Sequence, residues 1–495
     1  MAKGIDLVKD KDRLAKIEKN IMAGLKDFQQ ATVNRIAELY MGGQRRVLVC
    51  DEVGLGKTLI ARGTVAKIAK LHLNKRIRLF KVVYLCSNAT IADQNIQKLR
   101  ITNEVMTEDI SSSRLSMQHL KIFSQENDLL RQKYDPESLD RYIQLIPLTP
   151  DTSFRVTNGA GTVDERALMF AILKRLDLFR NCTKELEDVM KDWANSSWKK
   201  WCRDYYENKV KACDRDSNKE YIKYMISKID DQINNSNDDT ECINALYELC
   251  QNIKKNRENF VHKDDTITKI IGKIRMIFAK ISLEKLEPDL VIMDEFQRFK
   301  YLINSDQRSD IRMLTDKFFN SNNVKILLLS ATPYKMYSTP EEIDETRINE
   351  HYEDFFYLMN FLNEKAEDQQ KFRSIWENYS IALKQMTVGD TTILKAKDIA
   401  ENAMYQTVCR TERISEPNNG DIIDSSNCEQ PLEVLEKDIL SYVQAQKLLD
   451  DIGANYHVPV DYIKSAPYLM SFMKDYKIKK NIENYFKKNP GDIKK

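Results

Sequence analysis

One stretch, Arg45 to Thr64 (RRVLVCDEVGLGKTLIARGT), restricts the fold of this chain more than any other. Val47-Leu48-Val49 has strand character and the residues from Leu59 suit a helix; Asp51-Glu52-Val53-Gly54-Leu55-Gly56-Lys57-Thr58 joins the two. Strand, glycine turn and helix in that order aim successive backbone N–H groups at one point, an arrangement that suits a phosphate chain. Gly54 and Gly56 permit close approach because neither carries a Cβ. The Lys57 ammonium can reach the outer phosphates, and the Thr58 hydroxyl can take a coordination position on Mg²⁺. A bare glycine turn would fit a plain strand–helix connection equally well; the adjacent Lys-Thr favours a P-loop. Gly54, Leu55, Gly56, Lys57 and Thr58 are therefore the expected ATP-binding residues. The usual loop opens on glycine five positions before Gly56, where this chain has Asp51.

A second strand-end signal lies far downstream. Asp289-Leu290-Val291-Ile292-Met293 predicts a short buried strand, followed by Asp294-Glu295-Phe296-Gln297. A Mg²⁺–nucleotide site needs this pair: Asp294 to hold the metal and Glu295 to accept a proton from the attacking water. Lys57, Asp294 and Glu295 are thus the expected catalytic set, and Thr58 and Asp294 the expected metal ligands. A third run, Val324-Lys325-Ile326-Leu327-Leu328-Leu329, ends in Ser330-Ala331-Thr332-Pro333. Hydroxyls at Ser330 and Thr332 can hydrogen-bond a neighbouring carboxylate and transmit its state.

With these three stretches in order, the chain resembles superfamily-two helicases and translocases. DEVGLGKT is similar to motif I of the Swi/Snf-like bacterial type, Asp294-Glu295 to the DExx box of motif II, and Ser330-Ala331-Thr332 to motif III. The resemblance implies an α/β fold: a RecA-like parallel sheet with flanking helices, here with a large helical insertion and a helical C-terminal extension. It implies ATP and Mg²⁺ as cofactors, DNA rather than RNA as partner, and a helicase-like hydrolase. Phe28-Gln29 resembles the adenine-reading Q motif, since an amide offers both donor and acceptor. Arg78 to Cys86 predicts a buried strand; Asn88, after it, occupies the place of motif Ia, where a helix start contacts a nucleic-acid phosphate. A helix cap is the plainer reading of Asn88. Tyr142 to Leu148, running into Thr149-Pro150, resembles the place of motif Ib. Gln297 stands where relatives often have His or Asp. Asn88, Gln297, Ser330 and Thr332 form the expected coupling and nucleic-acid set. Similar bacterial proteins occur in phage-defence and restriction loci.

Composition limits the alternatives. Among 495 residues, Lys+Arg 77 against Asp+Glu 75 leaves a net charge of +2, so nucleic-acid contact must use local patches. The 9 cysteines form no CxxC pair and no zinc spacing, which suits scattered reduced thiols. The N-terminus has no apolar signal region and no run approaches a membrane span, so the expected compartment is the cytoplasm.

The expected organisation is 1–160 as the first part of the ATPase lobe, 161–285 as a helical insertion, 286–362 as the second part of the lobe, and 363–495 as a helical extension. Within the insertion, Ile267, Ile270, Ile271, Ile274, Ile277, Phe278 and Ile281 give a clean helical period. Trp193, Trp198, Trp201, Tyr205 and Tyr206 interleave with Lys199, Lys200 and Arg203, either as a nucleic-acid platform or, more plainly, as a core with a wet cationic face. Leu115 to Leu120 could form another strand, and His119 within it reads as structural. No GRxxR-type motif follows Thr332: Arg410 and Arg413 lie in CRTER, without the glycine and without a clear strand before it. The expectation is the N-terminal lobe of a translocase whose second RecA-like lobe, with its arginine finger, is absent: a split subunit, a truncated gene product or a fragment, with a second lobe or partner chain to complete it. The competing expectation is an ATP-dependent interaction module that hydrolyses little.

Overall fold

The computed structural model describes residues 7–73, 80–101, 114–131, 143–154, 159–191, 198–255, 265–303, 314–316, 318–319, 324–333, 350–385, 392–411, 435–453 and 477–489. Two helices, α1 (Leu7–Ala23) and α2 (Asp27–Met41), precede β1 (Arg46–Val49) and α3 (Lys57–Leu73). Next come β2 (Phe80–Leu85), α4 (Ala89–Leu99), α5 (Gln118–Arg131), β3 (Ile143–Leu148) and the short α6 (Pro150–Ser153). A run of helices follows: α7 (Val163–Leu173), α8 (Thr183–Lys191), α9 (Asp204–Asp216), α10 (Glu220–Asn235), α11 (Asn237–Lys255) and α12 (Asp265–Leu286). The chain then returns to the sheet with β4 (Leu290–Asp294) and β5 (Lys325–Leu329). After α13 (Glu350–Leu362), α14 (Ala366–Lys384) and α15 (Thr392–Met404) it adds β6 (Val408–Cys409).

The six strands form one sheet in the order β3-β2-β4-β5-β1-β6, and every pair is parallel. This is the RecA-like α/β fold expected. Strands buried on both faces need apolar residues at consecutive positions, and RVLV, FKVVYL, IQLIPL and LVIMD are buried throughout. Val47, Val49, Val82 and Tyr84 pack on one face with α1–α4; Leu48, Val83, Leu85 and Val291 pack on the other with α12 and α13. Because all strands are parallel, the residues after Val49, Leu85, Leu148, Asp294, Leu329 and Cys409 emerge along one edge.

Helices α7–α11 and most of α12 surround a separate apolar core that includes Leu168, Val189, Met225 and Leu246. Helix α12 serves both bodies. Ile267, Ile270, Ile274, Ile277 and Ile281 enter this core, while Met276, Ala279, Leu283 and Leu286 cover the sheet. Trp198 is only 2% exposed and donates its Nε1–H to Glu187 at 3.1 Å; Tyr206 is buried beside it in the same core. At those two residues the aromatic stretch is core, although Tyr205 is exposed under the Lys209 ammonium at 4.5 Å. Trp193 lies outside the described residues.

Two local expectations are corrected. Leu115–Met117 is a 3₁₀ turn that leads into α5, not a strand: Ile122 and Phe123, further along, continue the buried face in a helical period. Conversely, a strand does precede Arg410, because Val408–Cys409 pairs with Leu48–Val49. Residues 413–495 form a second compact unit, in which α16 (Glu436–Asp451) and α17 (Lys477–Lys488) are described; Tyr485 donates its hydroxyl to Asp451 there at 2.9 Å. Eight cysteines among the described residues are free thiols.

Candidate nucleotide site at the carboxyl edge of the sheet

The loop between β1 and α3 is built on Gly54 and Gly56, with φ of +87° and +80°. Both angles favour glycine, and at Gly56 space adds a second requirement. A Cβ there would lie 2.5 Å from Gln29 Nε2. Gln29 is buried and spans the loop and its own helix. It donates through Nε2 to the Leu55 carbonyl at 2.9 Å and accepts from the Lys26 N–H through Oε1 at 3.0 Å. Each end of that amide keeps one further position, an N–H and a lone pair. Lys57 opens α3, and its ammonium donates to the carbonyls of Asp51 and Glu52 at 3.1 and 3.3 Å. It is held by neutral backbone rather than by a carboxylate. Thr58 lies half-buried in the same first turn.

Asp51 explains the departure from the usual loop. Its side chain is fully buried and its Oδ1 accepts the backbone N–H of Thr411 at 2.6 Å, just beyond β6. The other oxygen, Oδ2, takes no hydrogen bond from the described residues. Burial pushes the Asp51 carboxyl above its ordinary range, against the opposing Thr411 bonds and the Lys57 and Arg410 charges. Glycine at this position could not make the link. Arg410 is exposed, and Arg413 lies outside the described residues.

At the end of β4, Glu295 takes a left-handed conformation, φ 51° and ψ 46°, uncommon for a residue with a side chain. The sharp turn starts the 3₁₀ segment Phe296–Leu302 and brings Gln297 back onto Glu295, whose Oε2 accepts its amide N–H. Ser330, at the end of β5, donates its hydroxyl to Gln297 Oε1 at 2.8 Å and accepts the Thr332 N–H at 3.0 Å. The hydrogen bonds thus run Thr332 to Ser330 to Gln297 to Glu295. Ser330 was expected to reach a carboxylate directly; here the Gln297 amide intervenes, since it offers an acceptor on one side and a donor on the other.

Asp294 is buried. Burial comes first among the causes that push its carboxyl above the ordinary range; the Glu295 charge adds to the rise, while Tyr84, Lys57 and Asn95 oppose it. The Lys57 charge therefore acts on Asp294 as well as on Asp51, so loop and strand end share one field. Tyr84 and Asn95 were not among the expected residues. Tyr84, on β2, donates its hydroxyl to Asp294 Oδ2, and Asn95, on α4, donates to both Tyr84 Oη at 2.9 Å and Asp294 Oδ2 at 3.2 Å. Asn88 stands exposed just before α4, one strand away from these groups.

The family model of the type III restriction enzyme, res subunit, matches residues 23–141. That is a superfamily-two helicase N-terminal domain, and the matched stretch takes in α2, the Gly54–Thr58 loop, β2 and α4, while Asp294 and Ser330 lie beyond it. Neither a curated protein nor a solved structure matches the chain.

Proposed function

We propose that this chain is the ATP-binding lobe of an ATP-dependent DNA translocase or helicase of the Swi/Snf-like type, working in the cytoplasm in restriction or phage defence. The observation that carries the reading is the convergence at one sheet edge. Lys57 follows β1, Asp294 ends β4 with Glu295 just after it, and Ser330 follows β5; the Lys57 charge acts on Asp294, and Ser330 is tied through Gln297 to Glu295.

These residues fit Mg·ATP. Gly56 keeps the loop free of a Cβ where Gln29 approaches, and Asp294 and Thr58 are hard oxygen donors. Mg²⁺ binds through one or two carboxylates plus phosphate oxygens and keeps several waters. The cation, when bound, neutralises charge on the phosphates. In this reading Lys57 exchanges its two backbone carbonyls for phosphate oxygens, and Gln29 offers its remaining N–H and lone pair to an adenine edge. Glu295 accepts the proton of the attacking water, and the chain through Gln297 and Ser330 to Thr332 couples that carboxylate to the DNA track, with Asn88 at a phosphate. Full turnover draws on a second RecA-like lobe, whose arginine would contribute about 10³–10⁵ in rate.

A second reading, an ATP-dependent interaction module with little hydrolysis, draws on the separate core of α7–α12, a body large enough to dock a partner. Steady-state ATPase with and without duplex and single-stranded DNA separates the two, on this chain alone and with any second lobe supplied. DNA-stimulated turnover that Glu295→Gln lowers by about 10²–10⁴ supports the translocase. Turnover unchanged in Glu295→Gln removes the assigned role, and ATP binding without DNA stimulation in either setting favours the docking module.

A further inference from the structure

The hydrogen bonds on Asp294 come from two residues that the nucleotide reading does not use. Tyr84 is fully buried in β2, and its hydroxyl has one outlet as donor, Asp294 Oδ2. Asn95, half-buried on α4, closes the triangle by donating to the phenol oxygen and to the same carboxylate oxygen. Both bonds fall on Oδ2 and neither on Oδ1. A carboxylate held through one oxygen cannot rotate about its Cβ–Cγ bond without losing two donors, so Oδ1 is aimed in one direction.

We propose that Tyr84 and Asn95 are positioning residues for Asp294, fixing Oδ2 so that Oδ1 faces the Mg²⁺ of a bound nucleotide. This rests on the assignment of Asp294 to the metal made above. Three features support it. The pair belongs to two different elements, β2 and α4, each anchored independently in the apolar layer through residues such as Val82, Ala92 and Ile96. A tyrosine in a strand buried on both faces needs a partner for its hydroxyl, and here that partner is the carboxylate of the neighbouring strand, Tyr84 pairing in register with Ile292. Groups that hydrogen-bond a metal ligand set its orientation, and their loss typically costs about 10–100-fold in metal affinity. The arrangement also makes Asp294 sensitive to α4, the helix that Asn88 precedes.

The test is fluorescence titration of the full chain with an ATP analogue carrying a fluorophore, at a series of Mg²⁺ concentrations and in EDTA, for the parent, Tyr84→Phe and Asn95→Ala. Tyr84→Phe keeps the ring and removes only the hydroxyl; Asn95→Ala, at a half-buried position, is a second variant in case the first melts early. The expected result is a Mg²⁺ midpoint raised about tenfold or more in each variant, with the EDTA affinity within about twofold of the parent and each variant cooperatively folded at the titration temperature. An unchanged Mg²⁺ midpoint in both folded variants overturns the proposal. So does an equal loss of affinity with and without Mg²⁺, which marks the pair as general packing. If the parent itself binds the analogue with no Mg²⁺ dependence, the metal assignment of Asp294 falls, and this inference falls with it; normal Mg²⁺ dependence in the parent with silent variants overturns this inference alone.

Discussion

At the carboxyl edge of the sheet, Asp51 and Asp294 are buried with their carboxyls pushed above the ordinary range. At Glu207, in the helical body formed by α7–α12, the opposite holds. Glu207 feels burial too, which raises it, but the Arg175 and Lys174 cations outweigh that and hold it down to about 2. Glu165, 1% exposed, sits between Arg275 at 3.1 Å and Arg114 at 3.2 Å, with the Ser116 hydroxyl at 2.6 Å. Glu165 and Glu207 thus have their counter-charges at hand, whereas Asp230 on α10 is pushed up by burial and by the Asp231 and Asp177 charges. At the sheet edge burial outweighs the Lys57 charge on both carboxyls, and Lys57 itself donates to backbone carbonyls. Perturbed groups that their surroundings leave uncompensated mark functional sites more often than compensated ones.

The largest expected effect breaks the edge at its cation. Lys57→Ala should lower Mg·ATP affinity about 10²–10⁴-fold, because charge-assisted hydrogen bonds to phosphate contribute about 1.5–3 kcal/mol each and the lysine would make about two. The thermal melt should stay near the parent's, since the ammonium rests on only two backbone carbonyls, one part-buried and one exposed. Equilibrium binding of a fluorescent ATP analogue together with a melt checks both halves, and an unchanged affinity would remove the phosphate role.

In the helical body the corresponding experiment strikes stability. Glu165→Ala strands the Arg275 guanidinium, itself 2% exposed, without its carboxylate. Removing one member of a buried pair typically costs about 3–5 kcal/mol, read by chemical denaturation. A loss below about 1 kcal/mol would show that water reaches Arg275 and that the body is less closed than its core suggests.

Glu207→Gln should have a smaller effect, about 1–2 kcal/mol at neutral pH once solvent screening at this partly exposed site is allowed for. The pH dependence has a definite sign. A carboxyl whose folded pKa is depressed contributes stability above its unfolded value, near 4.5, and loses it as the pH falls toward about 2. Parent and variant should therefore converge across that window; a difference that persisted below it would assign the effect to packing.

How much of this was legible in the chain differs by residue. Gly54, Gly56 and Lys57 carry their chemistry locally, and doubly buried strands read directly as apolar runs, so the sheet and its loop were expected. Tyr84 was not, because a tyrosine in VVYL reads as one more core aromatic and its partner lies 210 positions away. The two residues of β6 hold too short a pattern to register; the open edge of β1 makes them a strand. The strand expected over Leu115–Leu120 gave way to the helical face that Ile122 and Phe123 continue. On α12 the isoleucine stripe was visible, while Met276, Leu283 and Leu286, which cover the sheet from its other side, follow from tertiary packing.

The smallest expected effect sharpens the comparison most, because its sign is reversed. Asp51→Asn keeps an oxygen for the Thr411 N–H and removes a buried charge whose Oδ2 has no donor among the described residues. A carboxyl with a raised folded pKa binds its proton more tightly in the folded state than in the unfolded chain. Between the unfolded value, near 3.8, and the raised folded value, the parent's stability therefore falls as pH rises. The asparagine variant has no such term. It should be more stable than the parent at neutral pH, and the advantage should shrink as the pH is lowered and vanish below about 3.8, the reverse of Glu207→Gln, where the variant is the weaker protein at neutral pH. Urea denaturation of both variants at matched pH values reads the two signs side by side. If Asp51→Asn instead destabilised the protein at neutral pH, the Lys57 and Arg410 charges must outweigh the cost of burial, and the contrast with Glu207 would not extend to the loop.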